Sequence, residues 1–111
     1  MFAPESLPLP DVAEALGSDV LKIRQLLRDG RLVAFRTDDG VLRVPSAFLL
    51  DGRIVKGLGS VITLLRDNRF DDDEVLRWLF TEDDTLPGTP VDALRENRGT
   101  EVKRRAQALG W

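Results

Sequence analysis

AEALGSDVLKIRQLLRDGRLVAFR, residues 13–36, reads as a short helix, a tight turn, a second helix, a glycine stop and entry into a strand. In the second helix, expected over residues 20–29, Val20, Ile23, Leu26 and Leu27 recur at helical spacing and mark one apolar face. Lys22, Arg24, Gln25 and Arg28 fall on the other faces. These residue types bond phosphates and base edges when a helix lies in a major groove. Ser18 or Asp19 can cap the helix start, because a side-chain oxygen there accepts from an orphan amide. Gly17 suits the turn between the helices, and Gly30 stands where a helix end needs a left-handed residue. The same pattern also fits an ordinary surface helix with its charges in water.

The segment that follows separates the two readings. Residues 32–36, LVAFR, form a β-rich run, Asp38-Asp39-Gly40 is a hairpin turn, and residues 41–44, VLRV, form the return strand that Pro45 ends. Helix, turn, helix and hairpin is the order of a winged helix-turn-helix. Asp38 and Asp39 make an acidic wing tip, so Arg36 and Arg43, flanking it, are the expected backbone contacts together with Arg31. A hairpin that merely covers a helical core is the plainer alternative.

Composition narrows the chemistry. With 111 residues and 42% hydrophobic content the chain has material for one domain or two very small ones. It holds no cysteine and no histidine, which removes disulfides, thiolate metal sites, the usual general base and the Ser-His triad. Carboxylates are plentiful, but none is spaced against a nucleophile or base, so no enzyme, metal or cofactor is expected. No stretch is apolar enough to span a membrane, and Met1-Phe2-Ala3-Pro4 lacks the form of a signal peptide, so the expected compartment is the cytoplasm.

The net charge is −3, yet the charge is distributed in blocks. Residues 20–36 carry five basic side chains against one acid, residues 71–84 seven acids against one arginine, and residues 95–111 five basic side chains against two acids. A local basic surface on an acidic chain can still attract a polyanion.

Before the helix pair, residues 1–8 read as an extended arm, and Leu9-Pro10-Asp11 opens the first helix. After the hairpin, residues 46–50 read as one helical turn, Asp51-Gly52 as a turn and residues 53–56 as extended chain. Lys56-Gly57-Leu58-Gly59-Ser60 lacks the spacing of a phosphate loop and reads as a glycine-rich turn with Ser60 capping a helix over residues 61–67. Asp71-Asp72-Asp73-Glu74 opens a further helix by complementing its dipole, with Val75, Leu76, Leu79 and Phe80 as core and Trp78 packed beside them. A short helix restarts at Thr89-Pro90. A last one, capped by Thr100, carries Val102, Ala106 and Leu109 on one face. Lys103, Arg104 and Arg105 lie mostly opposite, as a solvated face or a second phosphate contact.

Residues 13–49 resemble the MerR/excisionase type of small winged helix, with Gly17, Ile23, Leu26, Gly30, Arg31, Leu32 and Pro45 at matching positions. Trp78-Leu79, Leu86, Pro90 with Leu94, and Glu101-Val102 resemble the toxin-binding helical domain of Xre/MbcA/ParS antitoxins. Together the halves resemble a small actinobacterial family of winged-helix DNA-binding regulatory proteins, one mycobacterial member of which is linked to Ser/Thr protein kinase signalling. Ser6 is the only hydroxyl in the short arm here.

The expected fold is therefore mostly α with a small β-hairpin wing: an arm at 1–8, a winged helix-turn-helix at 9–50 and a C-terminal helical bundle at 51–111. The expected partner is double-stranded DNA, read by Lys22, Arg24, Gln25, Arg28, Arg31, Arg36 and Arg43, and the expected role is transcriptional regulation. Arg24 and Gln25 suit base edges; Lys22 and Arg28 suit phosphates. A homodimer would add a second half-site, although no long heptad supports one. The rival expectation is an antitoxin-like module whose C-terminal helices bind a protein partner through an exposed apolar groove among Trp78, Leu86 and Leu94.

Overall fold

In a computed structural model, which describes residues 4–109, the helix pair and its hairpin lie at the N-terminal end and four further helices follow. The first three residues of the expected arm lie outside the described residues. The rest of the arm is extended and paired: Ser6–Pro8 is strand β1. Helix α1 spans Leu9–Leu16 and α2 spans Val20–Arg28. The wing is β2, Phe35–Arg36, and β3, Leu42–Pro45. These strands make an antiparallel sheet in the order β1-β3-β2, with Leu7 opposite Val44, Pro8 opposite Arg43 and Arg36 opposite Leu42.

Leu32 and Val33, expected in the strand, are buried but irregular; the ladder begins only at Phe35. Their side chains are taken up by the core without a backbone partner strand, so apolar burial there imitates a strand signal. A single 3-10 turn at Ser46–Phe48 leads into a second hairpin, β4 at Leu49–Leu50 and β5 at Arg53–Ile54, joined by Asp51-Gly52.

Helix α3 spans Leu58–Asp67, α4 Asp72–Phe80, α5 Pro90–Arg95 and α6 Gly99–Ala108. The start of α3 corrects the expectation for Ser60. Gly57, at φ 89°, is the N-cap, so Gly59 and Ser60 belong to the first turn and no side chain caps the helix. Thr100 is corrected in the same way: α6 begins at Gly99 with Arg98 as its uncapped N-cap residue. The acidic run at 71–74 does what its dipole complementarity suggests, and Asp71 and Glu74 close a full capping box. Asp72 and Asp73 pair with Arg66 and Arg77, at 2.8 and 2.9 Å.

One hydrophobic cluster runs through both halves, from Leu9, Val12 and Ile23 through Val44 and Phe48 to Leu58, Leu65, Leu79, Leu94 and Ala106. Phe48 and Phe80 meet with ring centres 5.8 Å apart. Arg95 ties the halves together, its guanidinium donating to the carbonyls of Ala47 and Leu49 at 2.9 and 2.7 Å. Leu109, expected on the buried face of the last helix, lies past its end and is 42% exposed.

Candidate nucleic-acid interface

The helix pair is fixed at each joint by backbone chemistry. After α1, Gly17 turns left-handed, and Ser18 donates its amide to Ala13 at 2.8 Å. Asp19 then caps α2, its carboxylate accepting from the Lys22 amide at 2.8 Å. Gly30 ends the element at φ 73°, where the amide of Arg31 reaches back to the carbonyl of Leu26 at 2.9 Å. On the inward side Ile23 is fully buried, while Val20, Leu26 and Leu27 are half-buried against the core.

The outward side carries the side chains that the sequence offers as candidate DNA contacts. Lys22, Arg24, Gln25 and Arg28 are all exposed on α2. Among the described residues, ion pairs form around Arg66, Arg77 and Arg98, and none involves an α2 side chain. Three cations thus stand on one short helix with no carboxylate neutralising them at close range. Leu21, which the sequence reading passed over, stands among them at 78% exposure.

The wing differs from the simple expectation. Arg36 is exposed and clasps the turn, donating to the Gly40 carbonyl at 2.9 Å. Arg43 pairs with Phe35 while Arg36 pairs with Leu42, so the two arginines point to opposite faces of the sheet. Arg43 is half-buried and donates to the Ser6 hydroxyl at 2.8 Å and the Ser6 carbonyl at 2.7 Å. It clasps β1 to β3, on the opposite face of the sheet from Arg36. The acidic tip is also partly consumed: Asp39 accepts from the Thr37 hydroxyl and the Val41 amide. Those bonds, the hydroxyl above all, hold its carboxyl below the ordinary value.

Arg31 is exposed just past α2, and its side chain lies over Gly59. With Lys56, Gly57 and Ser60 it lines an open cleft of about 260 Å³ at the start of α3. Lys56, in the sequence part of a glycine-rich stretch without phosphate-loop spacing, here shares a cleft with Arg31, and only the fold joins the two.

The C-terminal candidates fare unevenly. Arg105 is engaged throughout, donating to the Thr85 hydroxyl, the Thr85 carbonyl and the Glu101 carbonyl at 2.7, 2.9 and 3.1 Å. It pins the 81–89 loop to α6. Arg104 is exposed and Lys103 half-buried on the same helix, which packs on α3 and α5. Leu86 and Leu94 are buried at 0% and 2% exposure, so the expected apolar groove with Trp78 does not exist. Trp78 instead lines an open cleft with Thr81, Glu82, Asp83, Asp84 and Pro90, whose rim is acidic. Thr85 donates its hydroxyl and amide to Asp83, lowering that carboxyl's pKa. Arg98 likewise lowers the pKa of Glu101 and holds the Leu86 carbonyl at 2.8 Å.

A capped two-helix unit, a glycine stop and a β-hairpin wing define a winged helix-turn-helix domain followed by a helical region. Two family models cover these two parts: residues 3–49 match one described as "DNA-binding protein Rv2175c, wHTH domain", and residues 55–110 match "Rv2175c C-terminal domain of unknown function". The chain belongs to the Rv2175c family. DNA-binding protein Rv2175c of Mycobacterium tuberculosis (strain ATCC 25618 / H37Rv) is 43% identical over 116 aligned residues, covering 93% of this chain and 79% of the relative. The NMR structure of Rv2175c superposes with a TM-score of 0.88 at 40% identity, covering 97% of this chain and 82% of that one. No helix among the described residues is long and apolar enough to cross a membrane.

Proposed function

We propose that the protein binds double-stranded DNA by placing α2 in the major groove and that it acts as a transcriptional regulator in the cytoplasm, in the manner of the MerR/excisionase winged helices it resembles. The observation that carries this reading is the outward face of α2: Lys22, Arg24, Gln25 and Arg28 are exposed and outside any ion pair among the described residues, on a helix whose other face is anchored by Ile23. The name of the mycobacterial relative, a DNA-binding protein, supports it. Arg24 and Gln25 read base edges, Lys22 and Arg28 bond phosphates, and Arg31 and Arg36 add backbone contacts from the helix end and the wing. Such a module neutralises about four phosphates and loses affinity steeply with salt.

The test is fluorescence anisotropy of a labelled duplex at several salt concentrations, with the parent beside Arg24→Ala/Arg28→Ala. The double variant is expected to bind at least about ten-fold more weakly and to flatten the salt slope by roughly one to two. Unaltered affinity in that variant refutes the placement of DNA on α2.

A further inference from the structure

We infer that Leu21 is a base-reading residue that packs on the 5-methyl group of a thymine, and that Gln25 reads an adenine about two base pairs away. The inference rests on the major-groove reading of α2 and adds to it a sequence preference.

Leu21 is the most exposed large hydrophobic side chain among the described residues, at 78% against 42% for Leu109 and 37% for Val41. One exposed leucine on a protein surface means little by itself. Its setting gives it meaning. At 100° per residue, the buried direction of α2 is set by Val20, Ile23, Leu26 and Leu27; Gln25 points directly away from it, with Leu21 about 30° and Arg28 about 50° to one side. The leucine therefore lies beside Gln25 near the middle of the outward face rather than at its margin. Lys22, Arg24, Gln25 and Arg28 surround it and are all exposed. An apolar protein partner would have to strip water from these polar groups to reach a single side chain. A duplex satisfies both demands, since phosphates meet the cations and the major-groove floor carries one apolar feature, the thymine methyl.

Position along the helix agrees. Leu21 lies in the first turn of α2, whose start is fixed by the Asp19 cap, and the first turn of a groove helix is the part nearest the bases. Gln25 follows one turn later, about 6 Å along the axis, close to two base-pair steps. A glutamine amide matches the donor and acceptor of the adenine edge.

The experiment uses the tightest duplex recovered by selection from a randomised pool, prepared in two forms: one with thymine and one with every thymine replaced by deoxyuridine. This removes the methyl groups and leaves the pairing edges intact. Parent, Leu21→Ala and Leu21→Met are compared by anisotropy. The parent is expected to bind the deoxyuridine duplex about four-fold more weakly, the worth of burying one methyl-sized group. Leu21→Met is expected to keep the discrimination and Leu21→Ala to lose it, binding both duplexes alike. Because Leu21 is exposed, Leu21→Ala is expected to melt with the parent, so a loss of discrimination is not a loss of fold. Equal binding of both duplexes by the parent overturns the inference and leaves the major-groove reading standing. A ratio that persists in Leu21→Ala also overturns it, since another group then senses the methyl. A parent that sediments as a dimer, becomes monomeric with Leu21→Ala and shows no thymine preference assigns Leu21 to self-association instead. Failure to recover any bound duplex at low salt removes the underlying reading itself.

Discussion

Replacing Arg95 by Met removes two hydrogen bonds that join the helical half of the molecule to the winged half. The guanidinium donates to the carbonyls of Ala47 and Leu49, at 2.9 and 2.7 Å, from a half-buried position on α5. A bond from a charged donor contributes roughly 1.5–3 kcal/mol when buried. Partial exposure lets water replace some of that, and one nitrogen serves both acceptors, so the expected loss is about 2 kcal/mol for the pair. Methionine keeps much of the aliphatic stem, so the packing loss is small. For a chain of this size about 2 kcal/mol corresponds to a fall in Tm of about 10 °C. Thermal melting followed by far-UV circular dichroism measures it. Because the core is one cluster running through both halves, the variant is expected to melt in a single transition. A Tm within about 1 °C of the parent, or a split in which one half melts well before the other, refutes the reasoning.

Gly30→Ala puts a side chain at φ 73°, with its Cβ 2.9 Å from the Arg66 guanidinium. The left-handed strain dominates, and urea unfolding is expected to show a loss of about 1–2 kcal/mol; no loss would mean that the turn relaxes freely. The lowered pKa values of Asp39, Asp83 and Glu101 make a stabilising contribution that is present above the ordinary carboxylate range and lost as pH falls through their lowered values. Melting temperature is therefore expected to drop below about pH 4, and Thr37→Val is expected to move the Asp39 titration, followed by NMR, back up toward its ordinary value. An unmoved titration would show that the hydroxyl is not the cause.

The helix pair and wing were legible in residues 13–45 because each boundary is written in a side chain or a glycine: Asp19 at the cap, Gly30 at the stop, Asp39-Gly40 at the turn. The boundaries that sequence reasoning misplaced lack such marks. Helix α3 starts from a left-handed glycine rather than an oxygen cap, and α6 starts at Gly99, where a Cβ would come within 3.7 Å of Leu94. The roles of the arginines were the least legible. Arg43, Arg95, Arg98 and Arg105 each bond backbone carbonyls of distant residues, and every residue offers a carbonyl, so nothing in the partner's identity betrays the clasp. Arg24 and Arg28 are distinguished from them only by what the folded chain leaves exposed. Leu86 and Leu94 illustrate the same limit for apolar residues, since a spacing that resembles a docking groove is here the spacing of core positions.

The most direct test of where DNA binds is titration of the isotope-labelled protein with an unlabelled duplex, followed by backbone amide NMR shifts. The account predicts that the shifts concentrate in residues 19–31 and in the wing at 36–42, with the amides of 78–94 nearly unmoved. Shifts centred on the Trp78 cleft or on α6, with α2 unperturbed, would contradict it.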